Sequence, residues 1–156
     1  MTSALEQAHA TLTERLGIAN APTDWFEITQ DRVNQFAEAT LDRQFIHVDP
    51  ERAKSGPFGR AIAHGQLTMS IMSFLPGGAG VGLPALPGMK AGINYGWNKV
   101  RFPSPVAVGA HIRTIGKLKS VEIKGNMLEI VNELTVEVQG QDKPACVAES
   151  VLRLAF

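Results

Sequence analysis

The sequence has one cysteine, no excess of charge of either sign and no long uninterrupted hydrophobic run, and each absence excludes a class of protein. Because Cys146 is the only cysteine, one chain can form neither an internal disulfide nor a multi-cysteine zinc site. This cysteine usage suits a reducing cytoplasm. Fifteen basic and fifteen acidic residues give a formal net charge of zero, so the composition does not favour nucleic acid as a partner.

Signals for export and for membrane insertion are also missing. The first residues are polar and rich in alanine, without the basic flank and apolar centre of a signal peptide. The uncharged stretch 61–89 is interrupted by prolines and glycines, well short of the roughly 20 continuous apolar residues that a membrane span needs. We therefore expect a cytoplasmic protein outside the membrane.

The length and composition indicate one globular domain. A chain of 156 residues with 44% hydrophobic and 19% charged residues matches the size and the balance of single folded domains. We expect one domain over residues 1–156, in which residues 1–20 form an N-terminal helical extension.

The first half of the chain has helical patterns separated by short irregular segments. Residues 25–28 predict a short strand, Thr29 is a typical N-cap, and apolar residues recur at helical spacing from Val33. Residues 41–48 break that period before Asp49 and Pro50, which are typical of a helix start. Residues 62–75 are apolar or neutral on every side, which predicts a buried helix. The Gly- and Pro-rich residues 76–88 predict a mobile flap or connection.

The second half is dominated by β-like runs at about 92–102, 106–123, 127–139 and 145–155. The third run is the clearest, because apolar residues occupy one face and glutamates occupy the other, which is the period of a half-buried strand. Short turns between the runs favour antiparallel pairing. The sequence therefore predicts an α+β domain in which an antiparallel sheet wraps around one buried helix.

Residues able to transfer protons lie on the irregular segment 41–48. Asp42 and His47 are five residues apart, and a carboxylate with an imidazole can supply a base and an acid to one reaction. His64 and Gly65 lie at the start of the predicted buried helix. Free N–H groups at a helix N-terminus favour negative charge, and Gly65 has no side chain to block a close approach. These groups would suit addition of water to an α,β-unsaturated thioester, whose oxygen becomes enolate-like.

The segment 39–50, together with residues 62–65, resembles the hydratase motif of MaoC-like proteins, which include R-specific enoyl-CoA hydratases and related dehydratases. Residues 94–106 resemble the next family segment, particularly in its NodN-like branch, and the resemblance extends over roughly residues 25–156. It implies a hot-dog fold and a homodimer. The family usually has Gly before the catalytic Asp and Asn two residues after it, where this chain has Leu41 and Gln44.

The resemblance also implies roles for individual residues. Asp42 and His47 would hold and activate a water molecule, the N–H of Gly65 would bind the thioester oxygen, and Gln44 would retain the amide chemistry of the family's Asn. Ser73 falls where related hydratases place a residue of the acyl pocket.

Other interpretations of these residues remain open. Asp42 could simply tie the loop, and Asp42, His47 and Asp49 include the ligand types of a metal site, although no zinc spacing accompanies them. Ser73 could be a core serine bonded to its own helix. Lys99 and Arg101 could contact the phosphates of CoA or form an ordinary solvated face. His64 is predicted to be a packing residue at the helix start.

The leading hypothesis is an enoyl-CoA hydratase that produces a 3-hydroxyacyl-CoA, by resemblance the R product, without a metal or a redox cofactor. A dehydratase acting on acyl carrier protein thioesters is the nearest alternative. The pair Asp42 and His47 argues against a non-catalytic module that binds acyl thioesters, and the resemblance to the hydratase motif argues against a thioesterase on the same fold. The sequence does not distinguish CoA from carrier protein, or one acyl length from another.

Overall fold

Five antiparallel strands form one curled sheet in the computed structural model, which describes residues 2–77 and 83–156. The strands are β1 (Phe26–Glu27), β2 (Ala91–Arg101), β3 (His111–Lys124), β4 (Met127–Val138) and β5 (Cys146–Ala155), in the spatial order β1-β3-β4-β5-β2. The short strand and three of the four long runs agree with the sequence within two residues. The second run was expected from Val106, but β3 begins at His111, because the N–H of Ala110 bonds back to the carbonyl of Ala107 and closes a turn.

Within the described residues, five helices precede the long strands: α1 (Ala4–Thr13), α2 (Gln30–Thr40), α3 (Phe45–Val48), α4 (Pro50–Ala53) and α5 (Gly65–Ile71). Two predicted N-caps are confirmed. The hydroxyl of Thr29 accepts the N–H of Arg32 at 3.2 Å, and the carboxylate of Asp49 accepts the N–H of Arg52 at 3.0 Å. The segment 41–48 is only partly irregular, since its second half forms the one-turn helix α3.

The buried helix is shorter than the sequence predicts. The expected span was 62–75, but α5 starts at Gly65, because Ile62 and Ala63 donate their N–H groups to the carbonyls of Ile46 and Val106 in an extended conformation. The expectation that every apolar residue here is buried is also wrong, because Phe74 is 84% exposed. Part of the predicted flap, residues 78–82, lies outside the described residues.

The core consists of two clusters that meet on the inner face of the sheet. The first cluster joins α2 and α5 to one end of the sheet through Val33, Leu67, Met72, Leu134 and Val136. The second joins α1 to the other end through Ala8, Leu12, Leu128, Ile130 and Leu154. The N-terminal helix is therefore packed on the sheet.

The sheet wraps around α5, as expected of a hot-dog fold. On the outer face, glutamates of β4 pair with cations on the neighbouring strands, as in Arg113 with Glu137 and Arg153 with Glu129. Among the described residues, no helix is long and apolar enough to cross a membrane. The strand β2 is an outer strand of the sheet, and most of its residues are exposed.

Candidate active site

The loop that carries Asp42 is turned sharply at the end of α2. Leu41 caps this helix in the left-handed conformation, with φ of 67° and ψ of 8°. A residue with a Cβ atom pays about 1–2 kcal/mol there, which is why glycine is common at such positions. Leu41 therefore adopts, at a local cost, a conformation that the glycine usual in the family would adopt without strain.

His47 is held in one orientation by its surroundings. It lies on α3, is 6% exposed, and its Nδ1 lies 2.7 Å from the carbonyl oxygen of Ile62. Because a carbonyl oxygen only accepts, Nδ1 carries the proton and donates it, which leaves the lone pair on Nε2. The side chain of Gln30 fixes the same residue from behind, donating to the His47 carbonyl at 2.7 Å.

The electrostatics around His47 favour its uncharged form. Burial lowers the pKa of the imidazole below its ordinary value near 6.5, and this is the dominant effect. The bond to Ile62 and the charge of Asp42 oppose the shift, whereas His64 adds to it. An imidazole with a depressed pKa and a free Nε2 can accept a proton at neutral pH.

His64 connects His47 to the Asp42 loop, a role that the sequence did not reveal. The rings of His47 and His64 are stacked with centroids 3.8 Å apart, and Nε2 of His64 donates to the carbonyl of Asp42 at 2.9 Å. The ring of Phe36 packs against the ring of His64, with their centroids 5.0 Å apart and their planes tilted by 55°. The sequence predicts His64 only as a packing residue at the start of the helix. Its side chain packs, but it also positions the backbone of Asp42.

Asp42 meets the two histidines at one point. A carboxylate oxygen of Asp42 and one ring nitrogen of each histidine all lie within 4.8 Å of one another. Gln44 lies on the opposite side and donates its amide to the Asp42 carboxylate at 3.3 Å. The structure thus brings Asp42, Gln44 and His47 together, as predicted, and adds His64.

Asp42, His47 and His64 are also potential metal ligands, but the arrangement of the two imidazole rings is unfavourable for binding one shared ion. The planes of His47 and His64 are stacked with an angle of 26° between them. Imidazole lone pairs lie in the ring plane, so two stacked rings direct them side by side, whereas zinc bound by two histidines needs nitrogens converging at about 2.0–2.1 Å. Asp49, which the sequence offered as a third ligand, is engaged as the N-cap of α4.

Gly65 follows His64 directly and is the first residue of α5. The N–H groups of the first turn have no partner within a helix, so the Gly65 N–H is available in principle to a ligand. A Cβ atom at Gly65 would lie only 3.0–3.1 Å from the ring of Phe102. A cavity of about 380 Å³ runs along Gly65, Thr68 and Phe102. The role of the Gly65 N–H as a donor to the thioester oxygen stays a prediction.

Ser73 lies in a second cavity, further along the same helix. This cavity measures about 310 Å³ and is mostly apolar, with Met69, Trp97 and Leu154 in its walls. None of the catalytic candidates Asp42 and His47 lines it. The position agrees with the acyl-pocket prediction for Ser73, which stays a prediction.

Lys99 and Arg101 are both exposed on β2, but their side chains have different neighbours. Lys99 is opposite Glu149 in the sheet and contributes to lowering the pKa of that carboxyl, after the larger effects of Lys119. Arg101 is opposite Val147 and donates to the carbonyl of Val100 at 2.7 Å. Arg101 is therefore the better placed of the two for a phosphate, although contact with CoA stays a prediction.

Comparison with known proteins identifies relatives over almost the whole chain. A family model described as MaoC like domain matches residues 14–140. The chain is 48% identical to 3-hydroxyacyl-thioester dehydratase Z of Mycobacterium tuberculosis, over 92% of this chain and 93% of that protein. It is 37% identical to Nodulation protein N of Rhizobium leguminosarum bv. viciae, over 97% of this chain and 93% of that protein.

A solved structure shares the fold. The (R)-hydratase from A. caviae involved in PHA biosynthesis superposes with a TM-score of 0.65 and 25% sequence identity, covering 85% of this chain and 92% of that chain. The five-stranded sheet and the helix that it encloses are thus those of a known architecture.

Proposed function

The chain belongs to the MaoC-like family and is a hydro-lyase, and we propose that it adds water to a trans-2-enoyl-CoA to give the R form of a 3-hydroxyacyl-CoA. The observation that carries the proposal is the buried His47, whose Nδ1 donates to the Ile62 carbonyl and whose ring has a nitrogen within 4.8 Å of a carboxylate oxygen of Asp42. This is the arrangement that proton transfer to and from one water molecule requires.

In the proposed reaction, the pair of Asp42 and His47 removes a proton from water as its oxygen attacks Cβ of the thioester. The thioester oxygen gains charge as the double bond moves, and the N–H of Gly65 stabilises it. The same pair then delivers a proton to Cα. Atoms and charge balance without a redox cofactor, and we propose that none is used and that no metal takes part.

The proposal covers both directions of the reaction. Hydration and dehydration share one transition state, so the same residues serve a hydratase and a dehydratase. The relative named 3-hydroxyacyl-thioester dehydratase Z favours dehydration of a 3-hydroxyacyl thioester as the alternative, including one carried by acyl carrier protein. Arg101 and Lys99, exposed on β2, would contact the CoA phosphates in the leading proposal.

A thioesterase and a passive binding module have less support. The match to the MaoC-like family model is the argument against a thioesterase. Burial raises the pKa of the Cys146 thiol to about 11, which disfavours only a thioesterase with a thiol nucleophile. A passive module would not require a fixed imidazole tautomer beside a carboxylate. We propose a reducing cytoplasm as the location, since the thiol is free.

We propose that the protein acts as a homodimer, assembled through β2. This outer strand is eleven residues long and exposes Ile93 and Tyr95, the latter at 62%. Exposed strands of this length are usually paired or covered. The cavity that contains Ser73 is also lined by Gly92 and Asn94 of β2, so the substrate would lie near the interface. Sedimentation of the active protein as a monomer at micromolar concentration would contradict the dimer.

The direct test is a panel of trans-2-enoyl-CoA esters of increasing chain length, followed by loss of absorbance of the conjugated thioester. We expect turnover on at least one ester, with a 3-hydroxyacyl-CoA of R configuration as product. The same acyl groups on acyl carrier protein decide between the two carriers. An absence of turnover with both carriers would refute the proposed activity and leave a binding function.

A further inference from the structure

Two polar residues interrupt the apolar inner face of the sheet at the place where the two core clusters meet. Along β4, Leu128 and Ile130 belong to one cluster and Leu134 to the other, and Asn132 lies between them. Asn132 is opposite Ser150 of β5 in the antiparallel register. Side chains of such directly opposed residues are about 4.5–5.5 Å apart at Cβ, so the two polar groups are neighbours.

Neither side chain has a hydrogen-bond partner among the described residues. Asn132 is 0% exposed and Ser150 is 2% exposed, yet the amide nitrogen and oxygen of Asn132 and the hydroxyl of Ser150 are all unpaired. Nearly all buried polar groups in proteins are satisfied, because an unsatisfied one is strongly destabilising. Asn132 and Ser150, which we call the polar seam, therefore have hydrogen-bonding capacity that the fold does not use.

The polar seam borders the cavity that contains Ser73. Ser150 lines this cavity of about 310 Å³ with Met69, Trp97, Leu152 and Leu154, and the polar residues Ser70, Ser73 and Asn94 also contribute to its walls. The cavity reaches α5 at Met69, one turn beyond Gly65, which is roughly 6 Å at a rise of 1.5 Å per residue. Gly65 lines the other cavity, so an acyl chain whose thioester lies at Gly65 would have to pass from that cavity into this one.

We propose that the polar seam selects substrates whose acyl chain carries a hydrogen-bonding oxygen, a hydroxyl or a keto group, beyond the reacting carbons. The inference rests on the proposed function, since it treats the cavity as the acyl pocket. Asn132 offers both a donor and an acceptor, and Ser150 offers the same through its hydroxyl. A chain hydroxyl can satisfy both residues, whereas a plain alkyl chain leaves them unpaired.

A purely structural role makes the opposite prediction. If Asn132 and Ser150 served the fold through buried water, their replacement by apolar residues would destabilise the protein. If they serve a ligand, Asn132→Leu and Ser150→Ala remove unpaired groups from the core. The free protein should then become more stable, because apolar replacement of unsatisfied polar groups is neutral or favourable.

The test compares pairs of 2-enoyl-CoA esters of equal length that differ only in one hydroxyl group, placed at successive carbons beyond the double bond. For the wild type we expect one position at which the hydroxylated ester has a kcat/KM about tenfold higher than its plain partner. In Ser150→Ala and Asn132→Leu this preference, measured as the ratio of kcat/KM for the two esters of a pair, should fall to near one. The Tm of both variants should rise by about 2–4 °C for each kcal/mol that removal of the unpaired polar group adds to the free energy of unfolding.

Thr114→Val is the matched control. Thr114 is equally buried and its hydroxyl is also unpaired among the described residues, but it does not line the cavity. This variant should keep the wild-type preference for the hydroxylated ester.

A second measurement separates the inference from the proposed activity. The rise in Tm caused by saturated acyl-CoA esters, with and without the hydroxyl group, reports binding without turnover. Turnover without any preference in rate or binding would overturn the inference and leave the proposed activity intact. A binding preference without turnover on any ester would refute the activity and retain the selectivity. Lower Tm in both variants with unchanged preference would establish the structural role and also overturn the inference.

Discussion

Two polar regions of the molecule, one partly buried and one fully buried, differ in how their side chains are paired. In the first, around Asp42 and His47, Nδ1 of His47 donates to the Ile62 carbonyl and the half-buried Asp42 carboxylate accepts the Gln44 amide, so we call it the fixed region. In the polar seam, Asn132 and Ser150 have none among the described residues. We interpret the difference as one between groups fixed for proton transfer, as proposed for Asp42 and His47, and groups left unpaired for a ligand, as proposed for Asn132 and Ser150. Nδ1 of His64, beside Asp42 and His47, is also buried and has no partner among the described residues.

Replacing a residue of the fixed region should have the largest effect on rate. Asp42→Asn and His47→Gln keep size and part of the hydrogen bonding but remove acid-base capacity, so each should lower kcat by about 10² to 10⁴. Folding should survive, since both are near-isosteric changes outside the core clusters. Turnover of crotonyl-CoA or a longer enoyl-CoA and Tm are measured together. Near-normal turnover would refute the catalytic role of that residue, and a collapsed Tm would favour a structural one.

Gly65 tests whether the fixed region extends to the start of α5. Gly65→Val should lower kcat by about 10² to 10³ if its N–H binds the thioester oxygen, because the side chain blocks approach to that donor. Gly65→Ala is the milder control, although its Cβ would already press on the ring of Phe102 at 3.0–3.1 Å. The expected order of rates is wild type, then Ala, then Val. Equal rates in all three would remove Gly65 from the site.

His64 tests whether its contact with the Asp42 carbonyl matters for catalysis. In His64→Phe the flat ring can still stack between His47 and Phe36, but the bond to Asp42 is lost, so we expect kcat about five- to tenfold lower. His64 also lowers the pKa of His47, so its removal should raise that pKa. As the pH falls, His47 would then become protonated at a higher pH than in the wild type. The acidic limb of the kcat/KM profile should therefore shift to higher pH.

His64→Gln is the companion variant, because its amide retains a donor for the Asp42 carbonyl. It should recover part of the rate but not the original pH profile. An unchanged acidic limb in both variants would show that His64 serves packing alone.

Substitution of Leu41 should have the smallest effect of all, and the effect should be on stability and not on turnover. Leu41→Gly removes a left-handed penalty of about 1–2 kcal/mol but adds chain entropy to the unfolded state, worth about 0.5–1 kcal/mol. We expect a net gain of roughly 0.5–1 kcal/mol, or about 2 °C in Tm. Turnover should stay near normal, since φ of 67° suits glycine without moving Asp42. A fall in Tm would show that the Leu41 side chain contributes more than its backbone costs.

The sequence predicted the sheet better than it predicted the buried helix. Alternation along β4 marked its inner face correctly, because a strand with one buried face repeats every two residues. The start of α5 could not be placed in the same way. Ile62 and Ala63 are apolar and would suit a helix, but long-range bonds to Ile46 and Val106 hold them extended.

The candidate site was predicted in its residues but not in its connections. Asp42, Gln44 and His47 lie on one short segment, so their proximity followed from the motif. The contact between His64 and the Asp42 carbonyl joins residues 22 positions apart and depends on the tertiary fold. The polar seam could not be predicted from the sequence. Asn132 and Ser150 each interrupt a regular strand pattern, but their pairing depends on the register between β4 and β5, which neither strand's sequence determines alone.

The most direct test of the central claim is a double-mutant cycle on kcat, with wild type, Asp42→Asn, His47→Gln and the double variant assayed on the same enoyl-CoA, each with its Tm. If Asp42 and His47 act as one acid-base unit on one water, the first substitution already disables the unit, and the double variant should be little slower than the slower single variant. A double variant whose loss equals the product of the two single losses, with all four proteins folded, would show that the two residues act independently and would contradict the account.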